Sequence, residues 1–78
     1  MDNIIPLHQV PMGGFCKVKE LIADGSSRRR MLDLGLVFDT EVESLRKSPS
    51  GDPIAYQIRG AVIALRSEEA SKILVEVI

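Results

Sequence analysis

Tryptophan is absent from the 78 residues, and aromatic side chains make up only 4% of them. Single-stranded nucleic acid is gripped largely by stacking bases on aromatic rings, so this scarcity argues against that role. A basic excess is missing too. Ten Lys and Arg stand against eleven Asp and Glu, for a net charge of −1. Dedicated nucleic-acid binders and polybasic membrane-surface modules both usually carry such an excess. The longest unbroken apolar run, Ala61 to Leu65, is five residues, against about 20 for a membrane-spanning helix. No basic stretch leads into a long apolar segment at the N-terminus, so no signal peptide is expected. One cysteine, Cys16, leaves no internal disulfide to form. A small domain without disulfides suits a reducing compartment, so the cytoplasm is the expected location.

What is present is enough for one folded domain, residues 1–78. Ile, Leu, Val and Phe account for 25 of the 78 residues, well clear of the disordered range. A chain this short buries only about 60% of its unfolded surface, so the core must be modest. Turn residues cut the chain into short pieces. Phe15 to Ile22 reads as a strand with Cys16 and Val18 on one face. Ser26 or Ser27 is placed to cap a helix running to Leu34, with Gly35 at its left-handed C-terminal position. Thr40 to Lys47 reads as a strand with Val42 and Ser44 on one face, and Leu45 breaks the alternation as a bulge would. Ile54, Tyr56 and Ile58 alternate cleanly, Arg59-Gly60 is a tight turn, and Ala61 to Arg66 is the next strand. Ser67 to Lys72 is one helical turn, expected to be capped by Ser67, before a last strand from Ile73. Five strands and two short helices predict a mainly β fold, a small barrel closed to remove its edges. The expected core is Val18, Met31, Leu34, Val42, Ile58, Ile63, Leu65, Ala70 and Val75.

Catalysis finds no constellation. His8 and Cys16 are single, with no third group placed beside them, and a nucleophile needs a base and an orienting partner. They read as a surface imidazole and a half-buried thiol. There is no Cys-x-x-Cys and no histidine pair, so no high-affinity Fe²⁺ or Zn²⁺ site is expected, and no cofactor. Asp33, Asp39 and Glu41 read as a helix-face acid, a turn acid and a strand-face acid. Ser50-Gly51-Asp52-Pro53 lacks the lysine and the following helix of a phosphate-binding loop.

Two features remain for binding. Arg28, Arg29 and Arg30 sit where the helix is expected to begin, against its dipole, with Arg29 able to pair with Asp33. Ser48, Pro49, Ser50, Gly51, Asp52 and Pro53 form the strongest loop signal, stiffened by two prolines and so able to present groups at little ordering cost. Both are expected to contact a partner.

The ordered set Leu32-Asp33-Leu34-Gly35-Leu36-Val37, Thr40-Glu41-Val42-Glu43, Ser48-Pro49-Ser50-Gly51-Asp52-Pro53-Ile54, Arg59-Gly60, Ala64-Leu65-Arg66 and Glu69-Ala70-Ser71-Lys72-Ile73-Leu74-Val75 resembles the FeoA family from about Met12 to Val77. The resemblance implies an SH3-like β-barrel. It also implies a non-enzymatic cytoplasmic accessory of bacterial ferrous iron uptake, whose partner is the cytoplasmic GTPase-containing region of the transporter FeoB. Alternatives are a stand-alone regulatory module like the C-terminal domain of iron-dependent repressors, or a direct metal carrier. Two positions depart from the family pattern. Asp39 stands where Gly is common, which implies a left-handed turn there. Ser50 stands where an apolar residue is common, which implies weak, salt-sensitive partner binding.

Overall fold

The structure, a computed structural model, describes residues 3–78. Its elements are β1 (Ile4–Pro6), a 3-10 turn (Leu7–Gln9), β2 (Phe15–Leu21), α1 (Gly25–Asp33), β3 (Glu41–Lys47), β4 (Ile54–Ile58), β5 (Ala61–Leu65), α2 (Ser67–Ala70) and β6 (Ile73–Val77). The strands form one antiparallel sheet in the order β1-β6-β2-β3-β4-β5. The five expected strands are present. A sixth, β1, was hidden from the sequence by Pro6, which ends it after three residues beside β6.

The sheet curls around a single core because each strand turns alternate side chains inward. Cys16 and Val18 of β2, Val42 and Ser44 of β3, and Ile54, Tyr56 and Ile58 of β4 are all buried. Leu65 closes one side and Ile73 and Val75 the other, with Met31, Leu36 and Ala70 covering from the helical segments. Seven of the nine expected core residues are in this cluster, and Leu34 and Ile63 pack against it partly buried. Leu7 and Val10, from the N-terminal segment, complete it. The expected bulge at Leu45 is there as a register shift between Ser44 and Arg46 against β4. A second shift lies between Val18 and Glu20 against β6.

Full closure of the hydrogen-bonded ladder, expected from the need to hide edges, is not what the chain does. Among the described residues β1 pairs only with β6, and β5 pairs only with β4. Both ends of the sheet remain edges among the described residues.

Both helices begin differently from expectation. α1 starts at Gly25 with Asp24 in the capping position, and the Arg28 N–H reaches back to the Asp24 carbonyl. Neither Ser26 nor Ser27 caps it; both lie inside the first turn. Its end is as read. Gly35 has φ of +97°, and the Leu36 and Gly35 N–H groups return to the Met31 and Leu32 carbonyls. This closing motif needs a left-handed residue at that point, which glycine supplies without a Cβ clash. α2 begins at Ser67, but the cap comes from elsewhere in the fold.

Candidate partner-binding surface

Arg28, Arg29 and Arg30 occupy the fourth to sixth positions of nine-residue α1. The expectation that they crowd the positive end of the helix dipole is therefore corrected: the helix begins earlier, and Arg30 falls in its last turn, where a cation is favoured. Arg28 Nη1 donates to the Leu21 carbonyl at 3.1 Å, tying α1 to the end of β2. Arg30 Nη1 pairs with Glu69 Oε2 of α2. Arg29 has no ion-pair partner among the described residues, and the expected pair with Asp33 does not form. Of the three, Arg29 alone is left with no task inside the fold.

The loop from Ser48 to Pro53 is held by its own backbone. The Ser48 N–H donates to the Pro53 carbonyl at 3.1 Å, and the Gly51 N–H to the Ser48 carbonyl at 2.8 Å. Ser50 Oγ donates to the Asp52 carbonyl at 3.0 Å. The Asp52–Pro53 peptide is cis. Ser50 is exposed at the tip. Asp52, in contrast, turns back into the fold. Its Oδ1 accepts the Ser67 N–H at 2.7 Å, a first-turn donor of α2 that has no partner within its own helix.

These contacts bring the two expected binding elements onto one helix. Asp52 caps α2 from the loop, and Glu69 of α2 reaches Arg30 of α1. The other oxygen of Glu69 accepts the Arg66 N–H at 3.2 Å, and Arg66 Nη1 stands 3.8 Å from Asp52 Oδ2. Four-residue α2 is thus the joint between the arginine segment and the loop.

Sequence reasoning missed a second surface. An open groove of about 660 Å³ is lined by Phe15, Val37, Phe38, Glu41, Glu43 and Arg59, among others. Phe38 is 69% exposed, the most exposed large apolar residue described. It also borders a smaller groove that contains Leu32 and Arg28 of α1. The available signal was local: Val37 and Phe38 lie just past the helix-ending Gly35 and buried Leu36, in a turn where no alternation carries them inward. Asp39 closes that turn with φ of +72°, the left-handed conformation its departure from the family pattern implied. Lys19 Nζ donates to Asp39 Oδ1 at 2.8 Å and stands 4.9 Å from the Phe38 ring centre. That hydrogen bond holds the Asp39 carboxyl below the usual carboxylate range and raises the Lys19 ammonium.

His8 and Cys16 stay on separate elements, the 3-10 turn and β2. His8 is intermediate in exposure rather than a surface group, and Cys16 is fully buried rather than half-buried. Burial, followed by the charge of Glu41, pushes the Cys16 thiol up to about 11. Among the described residues no three His, Cys, Asp or Glu side chains cluster as a metal site would need. Among the described residues no helix is long and apolar enough to cross a membrane.

Known proteins share the fold. The chain is 40% identical to a FeoA-like protein from Clostridium acetobutylicum, covering 100% of this chain and 91% of that one with a TM-score of 0.91. It is 30% identical to Stenotrophomonas maltophilia FeoA, a prokaryotic SH3-domain protein solved in complex with zinc, over 88% of this chain and 86% of that one, with a TM-score of 0.79. A manganese-dependent transcriptional repressor shares the fold alone, at 22% identity and a TM-score of 0.87, over 100% of this chain and 44% of that one. A Porphyromonas gingivalis protein, a fusion of Fe(2+) transport protein A with the Fe(2+) transporter FeoB, is 37% identical over 54 residues. That match takes in 69% of this chain and spans 6% of the fusion's length. The FeoA domain model matches residues 5–77, and the chain belongs to the FeoA family, with its SH3-like β-barrel.

Proposed function

We propose that this protein is a non-enzymatic, cytoplasmic accessory of bacterial ferrous iron uptake that binds the cytoplasmic GTPase-containing region of a FeoB-type transporter and modulates it. One observation carries the reading: in the Porphyromonas gingivalis relative the two partners are one polypeptide. Fusion holds two modules at high effective concentration and is useful when they act together. A separate chain would meet the same partner through its own surface. The surface we assign is the one joined by α2, with Arg29 and the Ser48–Pro53 loop tip, bordered by Phe38.

Arg29 is the cation left over for an acidic partner, since Arg28 and Arg30 are engaged within the fold. Phe38 supplies apolar area that no packing requirement explains. Ser50 offers an uncharged hydroxyl at the loop tip in place of an apolar anchor, so the attraction leans on the charge of Arg29, which salt screens.

The test is titration calorimetry between this chain and the purified cytoplasmic region of the transporter, at low and high salt. Binding that weakens with salt, and weakens further in Arg29→Ala and Phe38→Ala, supports the assignment. Absence of binding at both salt concentrations overturns it.

A further inference from the structure

The ladder stops at β5, on an edge that carries none of the usual means of turning a further strand away. Edge strands are normally blunted by shortness, proline, charge or a bulge. The opposite edge, β1, has three residues and ends on Pro6. β5 has five residues, Ala61-Val62-Ile63-Ala64-Leu65, with no charge and no proline. It pairs with β4 without a register shift.

The hairpin dictates which backbone groups face outward. Arg59 and Gly60 both have positive φ, +50° and +85°, as a two-residue type I′ turn requires. Such a turn makes Ile58 and Ala61 a mutually hydrogen-bonded pair. Alternation then does the same for Tyr56 with Ile63 and for Ile54 with Leu65. The N–H and C=O groups of Val62 and Ala64 therefore point away from β4, toward the open edge. Both residues are exposed, Val62 to 64%.

Charge beside this edge is uneven. Arg46, Ala55 and Ala64 form one row across β3, β4 and β5. Lys47 joins them in a shallow groove of about 290 Å³ walled by Ser48, Pro49 and Pro53, and no acidic side chain lines it. Arg66 follows directly on β5, but its Nη1 stands 3.8 Å from Asp52 Oδ2, so Arg46 and Lys47 are the cations at this end without an acidic partner among the described residues. The Ala64 end of the edge is thus cationic.

We propose that the β5 edge receives an extended segment of another protein, uncharged along its length and acidic at the end lying beside Ala64, as an added strand. Main-chain hydrogen bonds to Val62 and Ala64 supply the register, and Arg46 and Lys47 select the acidic end. A second copy of this chain is the poorer occupant. Antiparallel self-pairing centred on Ile63 sets Arg66 of each copy beside Gly60 and Arg59 of the other, with cations gathered at both ends and no acid from β5 to meet them. The inference does not depend on which protein owns the segment.

The probe is a synthetic peptide of alternating threonine and valine ending in two glutamates, with a counterpart ending in two lysines. Amide hydrogen exchange in the intact protein is read by NMR. The glutamate-ended peptide is expected to slow exchange at Val62 and Ala64 by roughly tenfold or more, and the lysine-ended one to bind roughly tenfold more weakly. Val62→Pro removes an outward N–H with no internal partner, so it should abolish protection at Ala64 while the circular dichroism spectrum is unchanged. Exchanging both cations (Arg46→Glu with Lys47→Glu) should reverse the peptide preference, which tests the charge argument should the proline variant fail to fold. No added protection at millimolar peptide, or equal protection by both peptides, overturns the proposal. So does concentration-dependent protection of the same amides without peptide, which would make a second copy the occupant.

Discussion

Asp52 caps a helix to which it does not belong: its Oδ1 accepts the Ser67 N–H at 2.7 Å across 15 residues of chain. The loop that presents Ser50 to solvent is therefore anchored by its neighbour to α2, and α2 is anchored by Glu69 to Arg30. Asp52→Ala should lower stability by about 0.5–2 kcal/mol, the usual loss for a removed cap. Asp52→Asn, which keeps an acceptor oxygen, should lose less. Urea midpoints of the two variants check this, and an Asp52→Ala midpoint equal to the wild type's would mean that the cap contributes nothing.

Leu65 is fully buried at the end of β5, opposite Ile54. Leu65→Ala should cost about 2–5 kcal/mol, through lost burial and the cavity left behind. In a domain this small that approaches its whole stability. An unchanged denaturation midpoint would remove Leu65 from the core.

The three arginines should separate by what each touches. Arg29→Ala should leave the thermal midpoint at the wild-type value. Arg28→Ala and Arg30→Ala should each lower it slightly, for a stability loss of no more than about 1 kcal/mol, because both partners lie at the surface. Scanning calorimetry of the single variants checks this. A loss in Arg29→Ala as large as the others would show a fold contact for it.

Cys16 should resist alkylation in the native protein and react readily once unfolded, since burial holds its thiol protonated up to about 11. The same shift makes stability pH-dependent. Below the unfolded thiol's range both states hold the proton and nothing changes. As pH rises from 9 toward 11 the unfolded state loses it first and is favoured, by up to about 1.4 kcal/mol per pH unit. Fully buried Tyr56 is raised as well, mainly by burial, and adds to the loss at the upper end. Denaturation midpoints of wild type and Cys16→Ala across that range should diverge, with the variant falling less.

Metal binding is checked by anaerobic titration calorimetry. Fe²⁺ should give no one-to-one site of micromolar affinity or tighter. Borderline ligands such as His8 and Cys16 sit on separate elements, and Cys16 is sealed in the core. A stoichiometric site would make those two residues the first to replace.

Alternation and turn chemistry act over a few residues, and that is the range at which the chain was legible. Val42 with Ser44, Ile54 with Tyr56 and Ile58, the bulge at Leu45, Gly35 behind α1 and the Arg59-Gly60 hairpin all follow from neighbours in sequence, because strand period and left-handed backbone are local properties, whereas the left-handed turn at Asp39 came from the family resemblance. The ordered motif added the family. Tertiary structure decided the rest. The Leu21 carbonyl that Arg28 meets, the Glu69 that takes Arg30 and the Ser67 that Asp52 caps lie 7, 39 and 15 residues away. A side chain's role at the surface depends on whether the fold brings it such a partner, which separated Arg29 from its neighbours and Asp52 from Ser50. The unpaired edge of β5 belongs to the same class: Ala61 to Leu65 reads as a strand in isolation, and only the sheet order leaves one side of it open.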